Sequence, residues 1–307
     1  MTWIDRRLLS ARRGRWQWYW GVLGLVAVGG GTIAVAMALS RLAALWPDLN
    51  QILSDMSAEE DLMFAPGRWD AYAAFVFFSL PPILATAATI GWVHRWPVRH
   101  VLGPGGRFAW SHFAKSATAL LLLYAGASVI GYLVEPAHYT LQAVSWTIVP
   151  WILLAGVVIL PQAFSEDFLF NGYLARVWGG IVPFRLVVPI ALSVVFSAAH
   201  AFNADLAKDP IPAHVALFGG QFIALLIYVR TGSLGATVGL HWMNNMFLAG
   251  FVATAPGYRN EIALFVYRDP VLSAGGSYLY DPVSWGLLAA GLWLTWFVLS
   301  WRNSPFY

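Results

Sequence analysis

The chain contains no cysteine in its 307 residues. Thiol nucleophiles, disulfides and thiolate metal sites are therefore excluded, and any chemistry must use oxygen and nitrogen. Charge is nearly as scarce. Charged residues make up 11% of the sequence against 59% hydrophobic, about half the charge of a water-soluble domain, so the composition is that of a membrane chain. Also missing are low-complexity tracts, a His-Glu-x-x-His helix, and any internal repeat of the kind, about 20 to 50 residues long, that marks a solenoid. The glycine-rich LGPGGRF (102–108) has no strand before it and no Lys-Ser/Thr after it, so it reads as a turn and not as a phosphate loop. A net charge of +3 gives no footprint for nucleic acid.

What is present is apolar length. A helix crossing the hydrocarbon needs about 20 apolar residues. About eight stretches approach this length, near 18–46, 71–93, 115–134, 143–163, 184–201, 213–229, 235–254 and 283–301. The expected fold class is an all-α polytopic membrane bundle. Arg6, Arg7, Arg12, Arg13 and Arg15 precede the first stretch and place the N-terminus in the cytoplasm. Threading eight spans from there puts Arg95, Arg99, Arg107, Lys115, Arg176, Arg185, Arg230 and Arg302 on the same side. Arg41, Arg68, Lys208, Arg259 and Arg268 fall on the other. A cleaved export signal is the alternative for the paired arginines, but its apolar region would run only about 7–15 residues. The acidic segment 46–70 reads as an outer loop with some short helix.

Because charge is rare, its placement is informative. Of the 15 carboxylates, all but two lie in the N-terminal tail, the outer loops or, for Asp70, at a span edge. The exceptions are Glu166 and Asp167 in EDFLFNGYL (166–174), which follows the uncharged SWTIVPWILLAGVVILPQAF (145–164). If the fourth helix continues past Pro161 to Arg176, Glu166 lies about 15 Å from its inner end. If the span stops at Phe164, the pair merely caps a cytoplasmic helix. An ionisable residue at such depth costs several kcal/mol and marks a functional site.

Two histidines also stand in apolar sequence. His200 ends SVVFSAAH (193–200), and His241 opens HWMNN (241–245), about 9 Å inside the seventh span. His94, His100, His112 and His138 belong to loops or span ends, and His214 to the start of the sixth span. His241 and Asn245 are four apart and share one helix face, whereas Trp242, Met243 and Phe247 read as packing or lipid-facing residues.

EDFLFNGYL, FSAAH (196–200) and TGSLGATVGLHWMNN (231–245) together resemble the three motifs of the CAAX protease and bacteriocin-processing (CPBP) family of glutamic intramembrane endopeptidases, which includes the type II prenyl-protein proteases. The family pattern is Glu-Glu-x-x-x-Arg, Phe-x-x-x-His and His-x-x-x-Asn on consecutive core helices, and the likeness covers about 145 to 255. It divides the chain into a basic tail (1–17), N-terminal spans (18–140), a CPBP-like core (141–255), and an outer loop with the last span (256–307). The resemblance implies an intramembrane endopeptidase with Glu166, His200, His241 and Asn245 as catalytic residues and Asp167, Asn171 and Phe196 in support. It implies a metal-free site without cofactor, a membrane-associated protein or peptide as partner, both termini in the cytoplasm, and a place in a bacterial inner (plasma) membrane.

Peptide hydrolysis needs a base for the water, donors for the oxyanion and an acid for the leaving amine. Glu166 is the expected base, His200 orients the water, and His241 with Asn245 supplies the donors. The sequence departs from the pattern twice, with Asp167 for the second Glu and Asn171 for the Arg. An i,i+4 carboxylate–amide hydrogen bond is expected there, or else Arg107 or Arg230 reaches in to replace the guanidinium. Four alternatives stand beside this one. They are a zinc site ligated by Glu166, His200 and His241, a serine mechanism using Ser165 or Ser197, a catalytically inactive relative, and a proton-coupled transporter. The geometry also carries a demand. His200 is about 24 Å along an ideal helix from Phe184, so the fifth helix must start late, near Pro189, or tilt if the Glu166, His200 and His241 side chains are to face one polar cavity.

Overall fold

A computed structural model describes residues 18–44, 64–142, 146–182, 186–201, 210–255 and 261–268. The basic tail (1–17), most of the outer segment before Phe64, the expected eighth span (283–301), and Arg185, Lys208, Arg259 and Arg302 lie outside the described residues.

The described chain is a helical bundle. Helix α1 runs over Trp18–Ala43, α2 over Trp69–Ala88 with a π-helical continuation Thr89–Val93, and α3 over Trp110–Val134. Helix α4 (Val149–Asp167) passes through a π-helical stretch, Phe168–Leu174, into α5 (Ala175–Ile181). Helices α6 (Val187–Ala199), α7 (Pro210–Thr231) and α8 (Leu234–Gly250) complete the bundle. Three short strands, β1 (Tyr139–Leu141), β2 (Val252–Ala255) and β3 (Phe265–Arg268), form a small sheet in the order β1-β3-β2, with β1 antiparallel and β2 parallel to β3.

Five helical segments among the described residues are long and apolar enough to cross a membrane: Trp18–Leu42, Phe75–Val93, Trp110–Val134, Trp146–Ile181 and Ala213–Thr231. The chain is thus a multi-pass membrane protein, with large apolar side chains such as Leu122, Val129, Leu153 and Val157 on its outer surface. The fourth span does not stop at Phe164 but runs unbroken for 36 residues through Glu166 and Asp167, the continuation past Pro161 from which the depth of Glu166 was reckoned. Pro161 deletes one backbone donor inside it, and the helix continues. The fifth stretch is only 13 residues long, about 20 Å, too short to cross the hydrocarbon by itself. The seventh is a 17-residue helix that ends at Gly250 and passes into strand β2.

The site is positioned by close helix contact. Helices α3 and α8 run parallel. A Cβ at Gly235 would strike the Ala109 backbone, and one at Gly239 would strike the Phe113 carbonyl, with Phe113 Cα at 2.9 Å. Gly235 and Gly239 stand four apart in GATVG, the small-residue spacing that lets membrane helices approach backbone to backbone. Helix α4 runs antiparallel to α8, with Gly250 beside Ile152, Gly156 beside Met246, and the Trp242 indole N–H donating to the Gly156 carbonyl at 2.8 Å. The turn into α8 uses Gly232 at φ +64, a left-handed conformation that glycine adopts without steric cost. The Leu234 N–H then donates to the Leu102 carbonyl at 3.1 Å, so the GPGG turn and its flanks hold the start of α8. The π-helical stretch lies at the centre of one core, where Phe168, Phe170, Tyr173 and Leu174 meet Leu192, Phe196, Leu225, Tyr228 and Val238.

Gly239→Leu is expected to cost about 3 kcal/mol or to abolish folding, since backbone stands where its Cβ must go. Gly126→Leu on α3, where an added Cβ meets nothing within 4 Å, should stay within about 0.5 kcal/mol of wild type. Thermal unfolding of both variants in detergent checks the pair.

Candidate active site

Glu166 and Asp167 are the last two residues of α4 before the chain loosens into its π-helical turn, a local geometry found often at functional sites. The two carboxylates differ sharply in setting. The Glu166 side chain is 26% exposed, whereas that of Asp167 is 2% exposed, so only the former opens to the surface.

The three motifs converge on this pair. His200 caps the end of α6, and its Nδ1 lies 2.8 Å from the Phe196 carbonyl. A carbonyl can only accept, so Nδ1 carries the proton and Nε2 is the atom turned toward Glu166. Its distance to Glu166 Oε2 is 3.8 Å. His241 stands between the carboxylates, with Nε2 3.7 Å from Glu166 Oε2 and Nδ1 3.7 Å from Asp167 Oδ2. These two carboxylate oxygens are buried and accept no hydrogen bond among the described residues, so the His241 ring nitrogens are the polar groups that face both of them. Helix α6 begins at Val187, two residues before the Pro189 start that the sequence suggested, and its C-terminus brings His200 to Glu166.

Phe196 serves His200 twice. Its carbonyl fixes the imidazole tautomer, and its ring packs 4.5 Å from the His200 ring and 5.1 Å from Phe170. Asn245 does not touch a carboxylate directly. Its Nδ2 donates to Gln162 Oε1 at 2.9 Å, and Gln162 Nε2 donates to Glu166 Oε1 at 2.6 Å. Around Asp167, Asn171 Nδ2 donates to Oδ1, and Gln221 Nε2 donates to Asn171 Oδ1 at 2.9 Å. All three side chains are buried. An amide pair thus occupies the ground beside Asp167 where the family pattern has a guanidinium, and the groups facing Asp167 among the described residues are Asn171, His241 and Glu166.

Four polar residues of this site escape a motif search: Gln162, Gln221, Asn244 and Tyr124. Gln162 had a readable signal, standing one helical turn before Glu166 in the otherwise apolar VVILPQAF. Gln221 likewise interrupts the apolar run of α7.

The remaining candidates resolve into structural roles. Ser165 Oγ donates to the Gln162 carbonyl at 2.7 Å. Ser197 Oγ donates to the His214 carbonyl at 3.1 Å and lies 2.9 Å from His214 Nδ1. With its proton committed to a carbonyl, the Ser197 hydroxyl accepts from the imidazole N–H and ties α6 to α7 without being activated by it. His94 is buried, with Nε2 2.7 Å from the Tyr173 hydroxyl. Among the described residues no group of three or more His, Asp and Glu side chains is arranged to hold a metal ion. An apolar cavity lined by Pro210, Ile211, His214, Val215 and Phe218 lies at the start of α7 and includes none of the motif residues.

No solved structure matches the chain. The uncharacterized protein YyaK of Bacillus subtilis (strain 168) is 22% identical over 241 residues, covering 77% of this chain and 78% of its own length. Residues 145–247, which hold all three motifs, match the family described as type II CAAX prenyl endopeptidase Rce1-like, and the resemblance read from those motifs is thereby shown.

Proposed function

We propose that the chain is a glutamic intramembrane endopeptidase that hydrolyses a peptide bond of a membrane-associated protein or peptide. One observation carries this reading. Two imidazole nitrogens, from His200 and His241, lie within 3.8 Å of one oxygen of Glu166, a carboxylate inside a membrane-spanning segment, and all three residues fall in the stretch that matches a peptidase family. The family's description is that of a CAAX prenyl endopeptidase, and a lipid-modified C-terminal peptide is the first substrate class to test.

The residues account for each step. Glu166 Oε2 takes a proton from water, and neutral His200 accepts from the other water hydrogen at Nε2, aiming the oxygen at the scissile carbonyl carbon. The tetrahedral oxyanion is met by an N–H of His241 and by the second amide N–H of Asn245, the first being committed to Gln162. As the C–N bond breaks, the proton held on Glu166 passes to the leaving amine, and the other product departs as a carboxylic acid. Asp167 touches neither water nor peptide. It faces His241 Nδ1 and holds the ring's orientation, itself held by Asn171 and Gln221. In this reading residues 141–255 form the catalytic core, both chain termini lie in the cytoplasm, and the chain resides in a bacterial inner membrane.

One feature favours a non-catalytic relative: a neutral amide stands at 171 in place of a guanidinium. Neutral hydrogen bonds stabilise an anion less than charged ones, but Asp167 is also met by His241, and the reactive carboxylate is Glu166.

Glu166→Gln removes the ionisable function at constant shape. Turnover of a farnesylated CAAX peptide by the purified protein should fall by about 10³-fold or more, with His200→Ala and His241→Ala also severely impaired and all three folding as wild type. Undiminished cleavage by Glu166→Gln would remove the mechanism. Incubation with a strong chelator should leave the rate unchanged, whereas loss reversed only by added zinc would establish a metallopeptidase. Asn171→Leu should lower stability by about 3 kcal/mol in denaturant unfolding, because it strips the partner from both Asp167 Oδ1 and Gln221 Nε2. A variant as stable as wild type would mean that the buried amide pair does not hold Asp167.

A further inference from the structure

We infer that Gln162, Asn245, Asn244 and Tyr124 form a directional hydrogen-bond relay that positions Glu166, with Gln162 as the positioning residue in direct contact. The inference extends the proposed role of Glu166 as base, and it rests on a separate set of contacts.

The relay has four links. Tyr124 O–H donates to Asn244 Oδ1 at 2.7 Å, and Asn244 Nδ2 donates to Asn245 Oδ1 at 3.1 Å. Asn245 Nδ2 donates to Gln162 Oε1 at 2.9 Å, and Gln162 Nε2 donates to Glu166 Oε1 at 2.6 Å. An ionised carboxylate can only accept. Glu166 therefore forces Gln162 to present its NH₂, which turns the Gln162 carbonyl to Asn245. The same requirement fixes Asn245 and Asn244 in turn and ends at a phenol that must donate. Every dipole points toward the carboxylate, and hydrogen bonds aligned in this way strengthen one another in a medium of low dielectric.

The relay also spans the fold. Tyr124 sits on α3, Asn244 and Asn245 on α8, and Gln162 and Glu166 on α4, so three helices are keyed by one chain of amides. Its effect on chemistry is to divide the labour of the Glu166 oxygens. Oε1 is tied to Gln162, and Oε2 is left to face His200 and His241. Without Gln162 the carboxylate plane is free to turn, and neither oxygen is held facing His200 and His241. At the far end the Tyr124 ring packs against Phe247 with centroids 5.0 Å apart, so Tyr124→Phe removes the donor and keeps that packing.

The test reads Glu166 directly and does not require that the substrate be known. Dicyclohexylcarbodiimide enters membranes and modifies carboxyl groups in their protonated form, and adducts at Glu166 are quantified by mass spectrometry of the detergent-purified protein. The relay holds Glu166 Oε1 as a hydrogen-bond acceptor, so wild type should react slowly. Gln162→Met should raise the labelling rate about tenfold, the value of one hydrogen bond to a charged acceptor, and Tyr124→Phe should raise it by a smaller factor. Gln162→Met cuts the relay downstream of Tyr124. Adding Tyr124→Phe to it should therefore change nothing further, whereas independent structural effects would multiply. Labelling of Gln162→Met at the wild-type rate, or multiplicative effects in the double variant, would overturn the relay. Cleavage of the farnesylated CAAX peptide is assayed in parallel. Both variants should lower kcat more than they raise KM. If the labelling pattern is as expected and no variant, wild type included, cleaves the peptide, the relay stands and the prenylated CAAX substrate falls.

Discussion

Two adjacent carboxylates inside a membrane-spanning helix are the constraint on which the rest of this structure depends. A charge in that position costs several kcal/mol unless it is met by partners, and the chain has almost no spare charge with which to meet it. It meets the carboxylates with amides and imidazoles. Asp167 is sealed by Asn171 and, behind it, Gln221, whereas Glu166 is held on one oxygen by Gln162. His241 stands between the two carboxylates, with one ring nitrogen toward each. Neutral amides can do this because each both donates and accepts. They pass the electrostatic requirement from helix to helix until it reaches a hydroxyl at the edge of the site.

The packing follows from the same constraint. For side chains as short as Asn and Gln to link α3, α4 and α8, the helices must lie close together. Gly235, Gly239 and Gly156 remove the side chains that would keep them apart. The short α6 ends at His200 instead of crossing the membrane, so that its last residue falls level with Glu166. The break into π-helical geometry after Asp167 comes where the polar pair gives way to the aromatic core of Phe168, Phe170 and Tyr173.

Much of this was legible in the sequence, for identifiable reasons. Glu166, Asp167, His200 and His241 stood out because ionisable groups are conspicuous in apolar sequence, and the Asp167–Asn171 contact followed from helical spacing alone. The late start of α6 was forced by the depth of His200. Gln162 and Gln221 each left a signal as a lone amide in an apolar run, but an amide, unlike a carboxylate or an imidazole, names no chemistry by itself, and Asn244 was masked by its neighbour Asn245 in the third motif. Tyr124 was hidden for a similar reason, since an aromatic at helical spacing reads as packing. In the small sheet, residues 139–141 pair with the distant 265–268, which also pairs with the nearby 252–255, and strands of three or four residues give no periodic signal.

The central claim is that Glu166 acts as a base on water and not as a nucleophile. A single turnover in ¹⁸O-labelled water tests this most directly, with excess enzyme, a cleavable peptide, and mass analysis of both the product and the tryptic or chymotryptic fragment that carries Glu166. The account predicts one ¹⁸O atom in the new peptide carboxylate and none in Glu166. Label in Glu166 with an unlabelled product would mean that its oxygen attacked the carbonyl and was regenerated by water, and would contradict it.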